Sequence, residues 1–238
     1  MSEHSYTVTN HVIAFIDILG SSIAIRDDVQ GSLNVVHNAY ENSINHFKEL
    51  FHDKDFFPAV KIFSDNIVVA MPYKEERFKR SAFLAVAMMS AIIQVEFLKK
   101  GWLTRGGIAA GSFFADDIMV WGSALVEAYK LESTIAVYPR IVIAPKLIGE
   151  LKLAFRSKDF HCIEWIRQDK DRLFYVEYLN RCLKNADLFI LSLFDIVEKQ
   201  IAEHNGDTKV CQKWLWLGSY LKERVPEVAN QGGESTDA

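Results

Sequence analysis

The order of strand-like and helix-like segments in the first 145 residues constrains the fold more than any other feature. An apolar, β-branched run precedes a helical pattern, a hairpin pattern, a second long helix and another strand. The predicted strands are His11–Ile18, Pro58–Ser64, Ile67–Met71 and Trp102–Phe113, and the predicted helices are Asp28–Phe51, Glu75–Lys100 and Ser123–Ile135. The order β-α-β-β-α-β predicts an α+β protein with a ferredoxin-like core and an antiparallel sheet.

The rest of the chain predicts three short strands and a C-terminal helical extension. The strands are Arg140–Ile143, Cys162–Ile166 and Leu173–Tyr178, and the helices span about Leu183–His204 and Thr208–Arg224. Because no Gly- or Pro-rich linker interrupts the chain, we expect one domain over residues 1–225, with residues 11–145 as its core. Residues 226–238 contain few apolar side chains and are predicted to be a disordered tail.

Charge and composition exclude several classes of partner. The 238 residues carry a net charge of −4, which argues against a stable nucleic-acid partner or a polybasic membrane surface. The longest nearly apolar stretch, Ala82–Ile93, is shorter than the ~20 residues that span a bilayer. Three widely spaced cysteines form no zinc or disulfide pattern. We therefore expect a cytoplasmic protein with no membrane partner.

Two aspartates are predicted to meet at one end of the sheet. Asp17 ends the first strand and Asp65 lies in the turn that starts the third strand. The split βαβ topology places these strands side by side and antiparallel. Two adjacent carboxylates repel unless a cation lies between them, so the pair predicts a divalent-metal site. The alternative is an ordinary Asp-Asn hairpin turn and a strand that ends in an acidic residue.

Four short motifs in register resemble the class III nucleotidyl cyclases. They are Phe15-Ile16-Asp17-Ile18, Lys61-Ile62-Phe63-Ser64-Asp65, Arg105-Gly106-Gly107-Ile108-Ala109-Ala110-Gly111 and Val120-Trp121-Gly122, followed by Ala128, Lys130, Leu131 and Glu132. The resemblance covers about residues 11–145. The short chain, the RGGIAAG and AYKLE segments and the C-terminal helices look most like the bacterial pyrimidine cyclases of antiphage defence.

The resemblance implies a two-metal mechanism. Two ions, Mn²⁺ or Mg²⁺, are expected on Asp17, Asp65 and the backbone carbonyl of Ile18, where they activate the ribose 3′-hydroxyl and neutralise the triphosphate. Arg105 is implied as the triphosphate-binding residue and Lys130 as the cation at the α-phosphate. Arg105 has a structural salt bridge as its alternative role, but the adjacent Gly106 and Gly107 let another chain or a phosphate approach closely, which favours a functional role. Lys130 has a solvated surface lysine as its alternative.

The expected base-binding residues depart from those of purine cyclases. The resemblance implies substrate contacts by Phe15, Lys61 and Met119, where Met119 replaces a polar residue that would bind a purine. Val126 replaces the ribose-positioning asparagine of the family. Lys61 offers only donors, which suit O4 of uracil and not the amino group of cytosine. We therefore expect a uridylate cyclase, with cytidylate cyclase next.

Two other functions remain open at this stage: a purine cyclase, and an inactive cyclase-like module that binds nucleotide or forms dimers. The resemblance also implies a homodimer with composite sites, in which the aspartates of one chain face the basic phosphate-binding residues of the other. A cyclic product in this setting implies a separate effector protein.

Overall fold

The structure is a computed structural model that describes residues 6–51, 56–154, 164–179 and 186–229. The strands are β1 Thr9–Leu19, β2 Ala59–Phe63, β3 Asn66–Pro72, β4 Leu103–Ala115, β5 Val120–Trp121, β6 Ile141–Ile143, β7 Ile166–Gln168 and β8 Phe174–Val176. The helices are α1 Ser21–Asp27, α2 Val29–Leu50, α3 Lys79–Leu98, α4 Ser123–Thr134, α5 Pro145–Ala154, α6 Ala186–Glu203 and α7 Thr208–Ala229.

Local sequence explains the long elements. The apolar run of β1 is buried from Val12 to Ile16, as its composition predicts. Asp28 caps α2, because its side chain accepts a hydrogen bond of 2.9 Å from the backbone N–H of Gly31. The helix α3 is apolar around its whole circumference and is almost entirely buried, which makes it the central helix of the core.

The sheet confirms the predicted fold class. Its strands run in the order β2-β3-β1-β4-β6-β8-β7, with β5 paired to β4. The pairs β2–β3, β3–β1 and β1–β4 are antiparallel and only β4–β6 is parallel. The protein is therefore a mixed α+β fold with a mainly antiparallel sheet, and the split βαβ order puts β1 between β3 and β4.

Some elements differ from the prediction. The short helix α1 and the helix α5 were not foreseen. The predicted helix Glu75–Lys100 begins instead with a 3-10 turn at Glu76–Phe78. The strand β7 begins at Ile166, where we expected a strand to end, and Cys162 lies outside the described residues. Helix α7 continues past Pro226, where we expected the disordered tail to begin, as far as Ala229.

The chain forms two compact units, residues 1–178 and 179–238. The division falls inside the span 1–225 that the sequence predicts as one domain. In the second unit, α6 and α7 pack together closely enough that a Cβ on Gly218 would lie 3.3 Å from a methyl group of Val197. Arg224 donates a hydrogen bond of 3.3 Å to the carbonyl of Leu179 in the same unit.

Within the described ranges, one helical segment is long and apolar enough to cross a membrane. It is Glu76–Leu98, and 89% of its most apolar window is buried inside the protein. The core helix of a globular fold has the same properties.

Candidate active site

A row of side chains crosses the sheet at the end of β1. Asp17 lies opposite Asn66 on β3 and opposite Arg105 on β4. Directly opposed residues of an antiparallel sheet project to the same face, so the three side chains share one surface. The backbone N–H of Ile18 donates to the carbonyl of Asp65 at 3.0 Å. The structure thus brings Asp17, Ile18 and Asp65 to one end of the sheet.

Hydrogen bonds from neighbouring side chains hold the Asp65 carboxylate. Ser21 Oγ donates to Asp65 Oδ2 at 2.7 Å, and Asn66 Nδ2 donates to Oδ1 at 3.1 Å. The hydrogen bond from Ser21 is the main cause that holds the pKa of Asp65 below its usual value. Asp65 is therefore an ionised, oriented carboxylate.

Two unusual backbone conformations produce this arrangement. Gly20 has a φ of 80° and turns the chain from β1 into α1, which puts Ser21 beside Asp65. Ser64 has a φ of 57°, a left-handed conformation that is uncommon outside glycine, and it closes the turn before Asp65. Sequence reasoning missed Ser21, because α1 is too short to show a periodic pattern.

Arg105 has three partners in its own chain. Its Nε donates to Asp17 Oδ2 at 3.1 Å, its Nη2 lies 2.6 Å from Glu132 Oε1, and its Nη1 donates to the carbonyl of Ala136 at 3.3 Å. The resemblance implied that the aspartates and Arg105 face each other across a dimer. In the structure Arg105 contacts Asp17 of the same chain, because β1 and β4 are neighbours in the sheet.

The glycines after Arg105 serve packing. A Cβ on Gly107 would lie 2.3 Å from the carbonyl oxygen of Ala128 and 2.5 Å from Cβ of Leu131. A Cβ on Gly106 would lie 2.4 Å from the carbonyl oxygen of Phe15. The close approach that we expected at these glycines is made by α4 and β1 of this chain, which fill the space.

Two of the expected base-binding residues, Phe15 and Lys61, lie on the same face of the sheet as Asp17. Their row is two residues away from Asp17 along β1. Lys61, Val68, Phe15 and Gly107 form one row across β2, β3, β1 and β4. Phe15 is buried, and its ring lies 5.5 Å from that of Tyr129 and 6.2 Å from that of Phe63. Phe15 therefore presents little surface to a substrate and mainly supports the residues around it.

Lys61 and Met119 are brought together by the turn between β4 and β5. Lys61 Nζ donates to the backbone carbonyl of Asp116. The carboxylate of Asp116 accepts from the backbone N–H groups of Ile118 and Met119, each at 2.8 Å. Met119 is exposed at this turn. The two residues that we expected near the base thus share one location.

Lys130 is exposed on α4 and forms no ion pair with any residue that the structure describes. Its side chain is therefore free to meet a ligand or another subunit, while the buried face of the same helix carries Ala128, Leu131 and Glu132.

A cavity of about 430 Å³ opens beside Asp65. Its polar wall contains Ser21, Ser64 and Asp65. The apolar wall comes from Ile18, Ile25, Val29, Leu33, Ile62 and Trp102. Asp65 is therefore reachable from an open space at the end of the sheet.

Asp17 and Asp65 could bind a hard divalent cation only if water or a substrate supplied the remaining ligands of the ion. Among the described residues, no three His, Cys, Asp or Glu side chains are grouped to hold a metal. Mg²⁺ commonly uses one or two carboxylates and completes its shell with water and substrate phosphates. Asp17 and Asp65 suit that mode, with the Ile18 carbonyl as the candidate backbone ligand.

Comparisons with known proteins found no matching family model and no matching curated protein. Among solved structures, the adenylyl cyclase CyaB from P. aeruginosa is similar over 73% of this chain and 96% of its own, with 16% identity and a TM-score of 0.48. An adenylate/guanylate cyclase/hydrolase from Silicibacter pomeroyi has 15% identity, a TM-score of 0.46 and coverages of 72% and 96%. The catalytic core of a rhodopsin-guanylyl cyclase has 12% identity, a TM-score of 0.44 and coverages of 73% and 98%.

Proposed function

We propose that the protein is a nucleotidyl cyclase that converts a pyrimidine nucleoside triphosphate, with UTP favoured, to the 3′,5′-cyclic monophosphate and pyrophosphate. The observation that carries the proposal is the meeting of Asp17 and Asp65 at one sheet end, with Arg105 in contact with Asp17. This arrangement combines a carboxylate pair for cations with a guanidinium for phosphate, as phosphoryl transfer requires.

The reaction needs no protein nucleophile. The ribose 3′-oxygen attacks the α-phosphorus, the bond from that phosphorus to the β-phosphate oxygen breaks, and pyrophosphate leaves with the electron pair while the hydroxyl proton passes to water. Asp17, Asp65 and the Ile18 carbonyl would hold two divalent cations, Mn²⁺ or Mg²⁺, which would supply Lewis acidity to the hydroxyl and to the triphosphate. Arg105 would bind the leaving phosphates.

Lys61 and Met119 support the choice of base. Lys61 uses one N–H on the Asp116 carbonyl and keeps two further donors. These suit the O4 acceptor of uracil, whereas the amino group of cytosine would face another donor. Met119 offers no hydrogen-bond partner to the amino group of adenine. An unpaired buried donor costs about 1–3 kcal/mol, so we propose a roughly 5- to 150-fold preference for UTP over CTP.

The test is incubation of the purified protein with each of the four triphosphates and Mn²⁺, followed by chromatographic identification of the product. Cyclic UMP from wild-type protein and none from Asp65→Asn supports the proposal. Asp195→Asn, which changes an exposed aspartate of α6, is the matched control and stays active. A purine product identifies a purine cyclase, and no product with any triphosphate identifies an inactive module.

Lys61→Ala tests the account of base selection separately. We expect the ratio of UTP to CTP turnover to fall towards one, because the donor that discriminates O4 from the amino group is gone. Lys48→Ala removes an exposed lysine from α2 and leaves the ratio unchanged. An unaltered ratio in Lys61→Ala contradicts the role of Lys61.

We also propose a homodimer in which Lys130 serves the site of the other subunit. The β5–α4 patch consists of the exposed residues Ile118, Met119, Trp121, Val126 and Tyr129. Ile118 is 86% exposed and Trp121 is 75% exposed, an arrangement that marks interaction surfaces. Lys130 follows Tyr129 on the same helix. Light scattering of wild-type and Trp121→Glu protein tests this dimer, and we expect the variant to be monomeric.

The resemblance to pyrimidine cyclases of antiphage defence supports a signalling role, in which the cyclic product acts on a separate effector. The test compares cyclic nucleotide levels in phage-infected cells that carry wild-type protein or Asp65→Asn. A rise that depends on both infection and Asp65 supports this role, and equal levels in both strains contradict it.

A further inference from the structure

Glu132 is a buried carboxylate that lies beside the acidic pair and that the mechanism above does not use. Its side chain is 5% exposed, and its Oε1 lies 2.6 Å from Nη2 of Arg105. Burial raises the pKa of Glu132, the positive charge of Arg105 opposes this, and the charges of Asp17 and Asp65 add to it. Glu132 therefore shares an electrostatic environment with both aspartates.

Arg105 contacts one half-buried carboxylate and one buried carboxylate. Asp17 lies near the end of a strand and is 20% exposed, whereas Glu132 is 5% exposed on the packed face of α4. A cation on Asp17 competes with Arg105 for the same carboxylate. Arg105 can give up Asp17 and still keep a carboxylate partner, because Glu132 stays in place.

The net charge of the cluster also favours a bound cation. Two carboxylates, Asp17 and Glu132, contact the guanidinium of Arg105, and a third, Asp65, lies within electrostatic reach of Glu132, so the ionised cluster has an excess of two negative charges. A first divalent cation would cancel that excess, and the charge of a second would be met by the triphosphate. The cluster is therefore balanced with the cation present and unbalanced without it.

We propose that Glu132 is a positioning residue that anchors Arg105 at the edge of the site and so leaves Asp17 available to a divalent cation. The inference rests on the proposed function, since it takes Asp17 and Asp65 as the cation-binding pair. Without the charge of Glu132, Asp17 is the remaining carboxylate known to contact Arg105, and Arg105 then competes more strongly with the cation.

The test is titration of nucleotide-free protein with Mn²⁺, followed by the electron paramagnetic resonance signal of free Mn²⁺. We expect Glu132→Gln to weaken Mn²⁺ binding about tenfold. Glu132→Asp keeps the charge and should restore much of the affinity. Glu127→Gln removes a charge from the same helix at a position with no assigned role and should leave binding within about twofold. Thermal unfolding of each variant verifies that it is folded.

A double-mutant cycle separates anchoring of Arg105 from a direct effect of charge. In an Arg105→Ala background, Glu132→Gln should change Mn²⁺ affinity by less than about twofold, because the group through which Glu132 acts is absent. An equal loss with and without Arg105 overturns the proposal and assigns Glu132 a direct electrostatic or ligand role. Unchanged binding by Glu132→Gln in the otherwise wild-type protein also overturns it.

Failure of the proposed function gives a different result. If wild-type protein binds Mn²⁺ no better than Asp65→Asn does, the acidic pair is not a cation site, and both proposals fall. If wild-type and Glu127→Gln bind Mn²⁺ and Glu132→Gln binds it equally well, only the role of Glu132 falls.

Discussion

Arg105 on β4 and Arg140, which directly precedes β6, each contact two carboxylates, yet their surroundings differ. Arg140 is 1% exposed and contacts Asp169 and Asp171, which both belong to the turn between β7 and β8. Arg105 is 26% exposed and contacts carboxylates on β1 and α4. The backbone N–H of Gly106 donates to the carbonyl of Arg140 at 3.2 Å, so the two clusters are adjacent.

The difference lies in how firmly the carboxylates are held and in the balance of charge. Asp169 and Asp171 also accept hydrogen bonds from the backbone N–H groups of Lys170 and Leu173, at 2.7 Å and 3.0 Å. These bonds fix both carboxylates in one turn. The Arg105 cluster includes a third carboxylate, Asp65, within electrostatic reach of Glu132. A closed cluster thus stabilises the fold, whereas an open cluster with excess negative charge is suited to binding a cation.

The largest expected effect is on catalysis. Asp65→Asn should lower cyclase activity by at least about 100-fold, because it removes a charge that acts on the transition state. Asp171→Asn, the matched change in the closed cluster, should keep activity within about twofold of wild type when the protein is folded. Initial rates with UTP and Mn²⁺ measure both. Comparable losses in the two variants would remove the functional distinction between the clusters.

The free energy of unfolding should depend more on the closed cluster around Arg140 than on the open cluster around Arg105. Arg140→Ala should reduce the free energy of unfolding by on the order of 3 kcal/mol, because a buried cation is lost from between two fixed carboxylates. Asp65→Asn should change it by less than about 1 kcal/mol, because the amide oxygen can still accept the hydrogen bond from Ser21. Chemical denaturation followed by tryptophan fluorescence measures the difference. An Asp65→Asn protein as unstable as Arg140→Ala would show that the open cluster is structural too.

Mixing of mutant subunits tests which subunit supplies Arg105 and Lys130 to each site. Arg105 contacts Asp17 within one chain, so a mixture of Asp65→Ala and Arg105→Ala chains should stay inactive. A mixture of Asp65→Ala and Lys130→Ala should regain about a quarter of wild-type activity, because half of the dimers are mixed and each has one intact site. The assay requires proof of subunit exchange by mass spectrometry. Recovery with Arg105→Ala instead would assign Arg105 to the site of the partner.

The smallest effect concerns pH. The hydrogen bond from Arg140 is the main cause that lowers the pKa of Asp171 in the folded protein. A lowered folded-state pKa stabilises the protein above the unfolded-state pKa, and this contribution is lost as the pH falls through the folded-state value. Wild type should therefore be more stable than Asp171→Asn at neutral pH, and the difference should vanish in acid. Unfolding free energies from about pH 7 to about pH 2 measure it.

The meeting of Asp17 and Asp65 could be predicted because it depends on topology alone. The β-α-β-β-α-β order requires β3 to lie beside β1, and the turn residues of the hairpin then come next to the end of β1. Lys61 and Phe15 were implied by the resemblance, and the strand register places both in one row through Val68. The α+β class and the antiparallel sheet were accessible for the same reason.

The parts that were not foreseen depend on contacts between distant side chains. The Arg105–Asp17 bond joins residues 88 apart in sequence, and the Ser21–Asp65 bond joins residues 44 apart. Periodicity reports which face of an element is apolar, and it carries no information about which charged groups meet. For this reason the glycines after Arg105 were expected to admit another chain or a phosphate, although α4 and β1 of this chain occupy their space.

The sequence by itself determined the order of elements, the fold class and the sheet end at which two carboxylates meet, because local hydrophobic patterns and chain connectivity are sufficient for these. Tertiary structure decided that Ser21 orients Asp65, that Arg105 contacts Asp17 and that Glu132 is a second, buried partner of Arg105. These properties depend on the packing of α1 and α4 against the sheet, and packing arises only when distant segments come together.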